Sequence, residues 1–276
     1  MSDFLVEDVA VAIGGQLLQG SPRMPLNGVS TDTRQLGKGE LFFALSGPNY
    51  DGNQFAGAAA AAGAGCIVLR AEPGLLASLS AMLGPGCKTA VIAHEDPKRA
   101  LGELSSWHRR RLGLPVVGIT GSCGKTTTKN YLVQLLSNVR EVVGSPLSYN
   151  NSVGVPLTLL AATGASEVLV AEMGTNSPGE IAALCQIAGP SAGIITNIGA
   201  SHLEGLGSLE GIAFEKAELA RSLPSRGFLV LNNDCRYSAL FRASTKAKVI
   251  SFSIEGEGDL NATDLKFNNG HSIFRL

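Results

Sequence analysis

The sequence has little net charge, no long apolar run and no paired cysteines, and each lack excludes a class of protein. Its 22 basic and 23 acidic residues leave a net charge of −1, so no broad electrostatic field favours nucleic acid or an anionic membrane. The uncharged, apolar run at residues 55–69 is mostly alanine and glycine and is shorter than the ~20 residues that span a bilayer. We therefore expect neither nucleic acid as a partner nor insertion into a membrane.

The cysteines indicate the compartment. The five of them are scattered, odd in number and form no Cys-x-x-Cys pair, a pattern typical of a reducing compartment without disulfides or structural zinc. Residues 2–7 are acidic and amphipathic, unlike a secretory signal. We expect a cytoplasmic protein.

Glycine and an alternation of strands with helices are what the sequence has in quantity. Glycine accounts for 34 of 276 residues and hydrophobic residues for 45%, which suits an α/β protein with many tight turns rather than a disordered chain. The length allows two domains with separate cores. We predict an α/β fold, with a small α/β domain over residues 1–113 and a doubly wound parallel-sheet domain over 114–276.

The local patterns predict individual elements. In the first domain they predict strands at 40–45, 66–69 and 89–93, and helices at 2–13, 51–62 and 96–111. In the second they predict strands at 116–119, 168–172, 192–197, 227–232 and 248–252, and helices at 125–137, 152–162, 178–187, 208–223 and 235–243. The alternation weakens after residue 253, and we expect the second domain to be truncated at its C-terminus.

Residues 118–128 read GITGSCGKTTT and carry the strongest chemical signal. An apolar strand precedes this glycine loop and a helix follows it, so backbone N–H groups at the helix N-terminus can surround an anion. Lys125 adds a positive charge, and the Thr126 hydroxyl can hold Mg²⁺. The strict G-x-x-x-x-G-K-[ST] motif is not met, because Ile119 stands where its first glycine belongs. A plain turn is the alternative, but the flanking strand and helix favour binding of a nucleoside triphosphate.

Two further side chains follow apolar strands that neighbour this loop. Glu172 ends the strand at 168–172, and His202 follows the strand at 192–197. Because the carboxyl ends of parallel strands meet at one edge of a sheet, both can approach a bound triphosphate and its Mg²⁺. The alternatives are an ordinary strand-end carboxylate for Glu172 and an ordinary surface or core histidine for His202.

Other polar residues are ambiguous from sequence. Lys216 lies on the next predicted helix and by itself predicts only a solvated lysine. Asn150 and Asn151 precede a helix start, where capping or a turn is the simplest role.

One loop of the first domain gathers hydroxyl groups and a guanidinium. It comprises Ser30, Thr31, Asp32, Thr33 and Arg34. The loop could clamp a phosphate or a sugar, since arginine can bind a diphosphate with two parallel hydrogen bonds. An Asx or Ser/Thr turn is an equally good explanation.

Together these residues resemble the Mur ligases, the ATP-dependent amide-forming enzymes of peptidoglycan precursor synthesis. The segments that carry the resemblance are STDTR at 30–34, LFFALSG at 41–47, TGSCGKTTT at 120–128, YNNSVGVPLTL at 149–159, AEMGTNSPGEI at 171–181 and TNIGASHLEGLGS at 196–208. They are most similar to the members that join D-alanyl-D-alanine to UDP-N-acetylmuramoyl-tripeptide. The first domain would then bind the UDP-sugar, and the second would be a P-loop ATPase domain.

The resemblance implies a role for each matching residue. It implies that ATP contacts Gly121, Ser122, Cys123, Gly124, Lys125, Thr126, Thr127, Asn150 and Asn151. It implies Mg²⁺ ligation by Thr126, Glu172, His202 and a carbamylated Lys216, and catalytic roles for Lys125, Lys216 and His202. Residues 30–34 would face the UDP end of the nucleotide sugar.

The implied reaction proceeds through an acyl phosphate on the tripeptide, with ATP and Mg²⁺ required. Family members carry a third, C-terminal domain, so we expect this chain to be a fragment that binds nucleotides but does not ligate, and that is monomeric when complete. The alternatives are a non-catalytic nucleotide-sugar or ATP-binding module and a generic P-loop ATPase.

Overall fold

The computed structural model describes residues 4–84, 86–201, 203–268 and 271–276. The chain divides into two compact units. One comprises Met1–Gly113 with Leu159–Ala165, and the other comprises Leu114–Thr158 with Ser166–Leu276. Within the described residues, no helix has both the length and the apolar character needed to cross a membrane.

The first unit is a mixed sheet with helices. Its strands are β1 (Phe4–Leu5), β2 (Gln16–Gln19), β3 (Pro25–Leu26), β4 (Val29–Ser30), β5 (Leu41–Phe43), β6 (Cys66–Arg70) and β7 (Ala90–His94). Its helices are α1 (Val6–Ile13), α2 (Ala56–Ala61), α3 (Leu75–Leu83) and α4 (Pro97–Leu112), with a 3₁₀ turn at Gly52–Phe55. The main sheet has the order β2-β7-β6-β5-β4, in which only the β2 pairing is antiparallel.

Local chemistry sets the bounds of the helices in this unit. The Asp96 carboxylate accepts hydrogen bonds from the backbone of Lys98 and Arg99 and so caps the start of α4. Gly113 ends α4 in the left-handed conformation, with φ of 65°. The helix predicted over 2–13 begins only at Val6, because β1 pairs with β3. The patterns missed β2, β3, β4 and α3.

The second unit contains a parallel sheet that supplies the platform for the glycine loop. Its strands are β8 (Val116–Thr120), β9 (Val142–Gly144), β10 (Val168–Glu172), β11 (Ala192–Ile195), β12 (Phe228–Asn232), β13 (Lys248–Ser253) and β14 (Leu260–Asn261), followed by the hairpin β15 (Thr263–Asn268) and β16 (His271–Arg275). The helices that begin in this unit are α5 (Lys125–Leu136), α6 (Gly154–Leu160), α7 (Glu180–Ala188), α8 (Leu203–Leu206), α9 (Leu209–Ser222) and α10 (Ser238–Ala243).

The strand order places three carboxyl ends together. In the described part of the chain the order is β14-β13-β12-β11-β8-β10-β9, and every pair is parallel. Strand β8 therefore lies between β10 and β11, and the chain order reverses there. Ligands of open α/β sheets bind at such a switch point, outside the carboxyl ends of the strands.

The predicted α/β class with a parallel sheet is confirmed. The five strands predicted for the second unit are present, with ends that differ from the prediction by at most two residues. The patterns missed β9, a short strand whose side chains are only half-buried. The sheet also continues beyond residue 253, since β14 pairs with the end of β13 at Phe252 and Ser253.

Candidate functional site

The glycine loop between β8 and α5 has a backbone that requires glycine at two positions. Gly121 has φ of 147°, and a Cβ there would lie 1.9 Å from Thr196 Oγ1. Gly124, directly before α5, is left-handed with φ of 80°. The loop therefore closes tightly onto the end of β11, and any side chain at 121 would collide with Thr196.

Residues after β11 hold this loop by hydrogen bonds. Asn197 Oδ1 accepts from the Cys123 backbone N–H at 2.9 Å, and the Asn197 carbonyl accepts from Ser122 at 3.0 Å. Thr196 Oγ1 donates to the Cys123 carbonyl at 2.6 Å, and Ser122 Oγ donates to the Gly199 carbonyl at 3.0 Å. The sequence analysis did not identify Thr196 and Asn197 as loop supports, because each acts from more than 70 residues away.

The free backbone donors lie at the start of α5. The backbone N–H groups of Ser122 and Cys123 both donate hydrogen bonds to Asn197. In the described residues, no hydrogen bond uses the N–H groups of Lys125, Thr126 or Thr127. These three groups point out of the first helical turn, where a helix attracts anions.

Lys125 folds back over the loop it follows. Its Nζ donates to the carbonyl of Gly121 at 2.8 Å and to that of Ser122 at 3.4 Å. The ammonium group therefore lies on the glycine loop at the start of α5, where it adds a positive charge to the anion site.

Glu172 joins two other predicted residues, Thr126 and Asn150, into one cluster. Its carboxylate is only 1% exposed, and its two oxygens accept from Thr126 Oγ1 at 2.8 Å and from Asn150 Nδ2 at 2.9 Å. Both donors are neutral, and no ion pair of the described residues includes Glu172. A buried carboxylate without a counter-charge is costly, so this cluster suits a cation.

The donor set fits Mg²⁺. Thr126 and Glu172 offer hard oxygen ligands next to the anion site, and Mg²⁺ is commonly held by one or two carboxylates together with substrate phosphate and water. No group of three or more His, Cys, Asp or Glu side chains in the described residues forms a self-sufficient metal cage. The predicted ligand His202 lies outside the described residues.

Asn151 has a different role from its neighbour. Its Oδ1 accepts from the backbone of Val153 at 3.0 Å and of Gly154 at 2.9 Å. This is the capping geometry at the start of α6, and it matches the simpler of the two roles that the sequence allowed. Asn150 alone of the pair contacts Glu172.

Lys216 is buried on α9 rather than solvated. Its side chain is 1% exposed. Burial first, and the charge of Lys125 second, lower the pKa of Lys216 to about 8, while Glu215 opposes the shift. No hydrogen bond or ion pair within the described residues pairs the Lys216 ammonium. The Lys216 amine therefore loses its proton more easily than an ordinary lysine.

Glu215, which the sequence analysis missed, anchors α9 to α7. Its carboxylate oxygens accept from the backbone of Gly179 and of Ile181, both at 2.7 Å. The residue therefore caps the first turn of α7 from another helix. A carboxylate inside a helical pattern gave no signal of this contact.

In the first unit, residues 30–34 form the turn that the sequence allowed as an alternative. Ser30 Oγ accepts from the Asp32 N–H at 3.2 Å, and Asp32 Oδ1 accepts from the Arg34 N–H at 3.0 Å. The Arg34 guanidinium also donates to both Asp32 oxygens, and these hydrogen bonds lower the pKa of Asp32 to about 2. The Arg34 side chain is 87% exposed, so its guanidinium is accessible to a ligand. Thr31 and Thr33 are half-buried.

Comparison with known proteins supports the sequence resemblance. A family model described as "Mur ligase middle domain" matches residues 119–276, and one described as "Mur ligase family, catalytic domain" matches residues 25–109. A UDP-N-acetylmuramoyl-tripeptide–D-alanyl-D-alanine ligase of Mycobacterium tuberculosis is 37% identical, with 94% of this chain and 54% of the relative covered. The ligase of the same name from Bacillus subtilis is 37% identical, with 83% and 48% covered.

Solved structures agree with these matches. MurF from Acinetobacter baumannii superposes with a TM-score of 0.88 at 28% identity, covering 99% of this chain and 58% of that one. MurF from Thermotoga maritima, solved in complex with ADP, gives a TM-score of 0.76 at 29% identity, covering 90% and 55%. The chain spans about half the length of the curated relatives it matches. The family model over residues 119–276 covers more than half of this chain, and the chain therefore belongs to the Mur ligase family.

Proposed function

We propose that this chain provides the nucleotide-binding parts of an ATP-dependent ligase, which joins D-alanyl-D-alanine to UDP-N-acetylmuramoyl-tripeptide in peptidoglycan precursor synthesis. The observation that carries the proposal is the Thr126–Glu172–Asn150 cluster beside the free N–H groups of α5. The relatives named for this reaction, and the relative solved with ADP, support it.

The residues of the second unit would act on the triphosphate of ATP. The N–H groups of Lys125, Thr126 and Thr127 bind phosphate oxygens, and Lys125 Nζ leaves the loop carbonyls to neutralise charge on the transferred phosphoryl group. Thr126 and Glu172 would hold Mg²⁺, which supplies further neutralisation of that charge. Asn150 fixes the orientation of the Glu172 carboxylate.

The reaction consists of a phosphoryl transfer followed by an acyl transfer. The terminal carboxylate of the tripeptide attacks the γ-phosphorus, which releases ADP and leaves an acyl phosphate on the tripeptide. The amine of D-alanyl-D-alanine then attacks the acyl carbon, and collapse of the tetrahedral intermediate expels phosphate and forms the amide. The acyl phosphate hydrolyses if water reaches it, so the residues around it must exclude water.

Lys216 would take part as a carbamate. Its buried amine has a pKa of about 8, and a neutral amine adds to CO₂ and loses a proton to give a carbamate anion. The product would convert a buried positive charge beside Lys125 into a negative one, which suits a second cation. His202, the other residue implied by the resemblance, would be a further ligand.

Residues 30–34 would bind the UDP portion of the nucleotide sugar. Arg34 already presents two donors to the Asp32 carboxylate, and a diphosphate offers the same acceptor geometry. The five cysteines of the chain are all free, which supports a reducing, cytoplasmic location for the reaction.

Two measurements test the proposal. Calorimetry should detect binding of Mg²⁺·ADP and of UDP-N-acetylmuramoyl-tripeptide. An assay of ADP release should depend on both the tripeptide nucleotide and D-alanyl-D-alanine wherever turnover is found. ATP hydrolysis that needs neither substrate would contradict the ligase and favour a generic P-loop ATPase. Binding of both nucleotides without turnover would support nucleotide binding by this chain but not ligation by this chain.

A further inference from the structure

A second lysine of α5 is buried under the candidate site. Lys129 lies one helical turn after Thr126, and its side chain is only 3% exposed. Its Nζ donates to the carbonyls of Ser145 and Leu147, at 2.7 and 2.8 Å. No ion pair of the described residues includes it. Burying an ammonium group costs several kcal/mol of free energy. The burial of Lys129 therefore indicates a structural role for its two hydrogen bonds.

The segment that Lys129 holds is strained. Leu147 has φ of 45°, in the left-handed region, and its side chain is 80% exposed. A residue other than glycine pays about 1–2 kcal/mol for this conformation, and no burial of the Leu147 side chain compensates for it. The Tyr149 N–H closes a turn around Leu147 by donating to the Pro146 carbonyl at 3.1 Å. The hydrogen bond from Lys129 to the Leu147 carbonyl is the side-chain contact that favours the same backbone.

The same segment leads directly to Glu172. At its start, Ser145 Oγ accepts from the Glu172 N–H at 3.1 Å. At its end, Asn150 Nδ2 donates to Glu172 Oε1 at 2.9 Å, and the Asn150 carbonyl accepts from Gly174 at 2.8 Å. A change in the backbone at Leu147 would therefore move the amide that orients the Glu172 carboxylate.

We propose that Lys129 is a positioning residue of the nucleotide site. It holds residues 145–150 in a strained conformation, which keeps the Asn150 amide on Glu172 and the carboxylate aimed at Thr126. The part of this inference that concerns Mg²⁺ and nucleotide rests on the proposed function. The part that concerns the segment does not, and it is tested on the chain without nucleotide.

The first experiment measures amide hydrogen exchange in the nucleotide-free chain. Lys129→Met should speed exchange in residues 145–151, while the strands β8 and β10 keep their protection. Lys246→Met, an exposed lysine outside the site, is the matched control. Faster exchange throughout the second unit would indicate a purely structural role and overturn the inference, as would unchanged exchange in residues 145–151. If Lys129→Met does not fold, Lys129→Gln replaces it, since its uncharged amide is one atom shorter than the lysine side chain and should also release residues 145–151, with the same expected exchange result.

The second experiment uses the strain itself as a readout. Adding Leu147→Gly to Lys129→Met should restore part of the protection of residues 145–151, because glycine adopts the left-handed conformation at little cost. Lys129→Arg should retain most of it. A double variant that exchanges as fast as Lys129→Met would contradict the claim that Lys129 holds the strained backbone.

The third experiment separates the inference from the proposed function. Lys129→Met should weaken ADP binding in the presence of Mg²⁺ by about 10-fold or more, the usual effect of losing a residue that orients a metal ligand. ADP binding without Mg²⁺ should stay within about twofold, since the N–H groups of α5 are untouched. If the unmodified chain binds no ADP, the proposed function fails, whereas the exchange experiments still decide the role of Lys129.

Discussion

The Thr126 hydroxyl donates to the Glu172 carboxylate at 2.8 Å, which joins the start of α5 to the end of β10. The two residues are 46 positions apart in the chain, and strand pairing brings them together because β8 and β10 are neighbours in register. The anion-binding end of a helix and a buried carboxylate thus meet at one edge of the sheet. Four predictions concern this arrangement and the contacts of the second unit, and a fifth concerns Arg34 of the first unit.

Glu172→Gln should weaken Mg²⁺-dependent ADP binding by about 10-fold or more. The amide keeps the size of the side chain but removes the negative charge. The free energy of unfolding should stay level or rise, since a buried charge without a counter-ion disappears. Calorimetry with and without Mg²⁺ checks the first point, and urea denaturation checks the second. Glu95→Gln, at an exposed position, is the control. Unchanged Mg²⁺ dependence would remove Glu172 from the metal site.

Lys216 should make stability rise with pH in the alkaline range. Its pKa is lowered from 10.5 to about 8 by burial and by Lys125, so between these values the unfolded chain binds more protons than the folded one. The destabilising contribution is therefore fully present below pH 8 and is relieved as the pH rises toward 10.5, by about 3 kcal/mol.

The measurement is urea denaturation in CO₂-free buffer between pH 7.5 and about 10, compared with Lys216→Met. The variant should lose this pH dependence and be more stable at neutral pH, because methionine is buried without a charge. An identical pH dependence in both proteins would show that Lys216 is charged in the folded chain.

Gly121→Ala should disrupt the glycine loop. The added Cβ would lie 1.9 Å from Thr196 Oγ1, and at this φ of 147° alanine is also strained. We expect a loss of about 1–3 kcal/mol in the free energy of unfolding and weaker binding of ADP with or without Mg²⁺. Adding Thr196→Ala should recover part of the loss by removing the hydroxyl. Gly164→Ala, where nothing lies within 4 Å of the added atom, is the control.

Glu215→Ala should destabilise the second unit through α7. Its carboxylate accepts the two N–H bonds at the start of that helix, and loss of such a cap costs about 1–2 kcal/mol. Glu218→Ala on the same helix, which removes only an ion pair with Arg221, should cost less than about 0.5 kcal/mol. Equal effects of the two substitutions in urea denaturation would contradict the capping role.

Arg34→Gln should weaken binding of the UDP-sugar by about 10-fold or more, since hydrogen bonds to charged groups contribute ~1.5–3 kcal/mol. Binding of ADP should be unchanged, because Arg34 belongs to the first unit. Arg140→Gln, which also removes an exposed ion pair, is the control for a general loss of positive charge. Competition calorimetry with both nucleotides makes the distinction, and equal weakening of ADP and UDP-sugar would exclude a specific role.

Much of the fold and the centre of the site could be predicted. The alternation of apolar runs with amphipathic segments is local information, and so is a glycine loop followed by Lys125 and Thr126. The position of Glu172 at the end of an apolar strand also predicts its place at the edge of the sheet. Among the elements that were missed, β9 is short and α3 carries a weak periodic pattern.

The residues around this centre could not be assigned from the sequence. Asn150 and Asn151 are neighbours of the same type, yet one bonds Glu172 and the other caps α6. Lys129 and Glu215 have the charge and the helical spacing of solvated residues, yet both are buried. Only the tertiary contacts distinguish these cases.

By itself, the sequence determined the α/β class, the family and the glycine loop that we propose binds a triphosphate, because each depends on residues close together in the chain. The tertiary structure alone decided which backbone donors of that loop remain free, which asparagine bonds Glu172 and which lysine side chains are buried. Those outcomes depend on contacts between residues that are 16 to 74 positions apart in the chain. A local sequence pattern does not contain information about contacts at such separations.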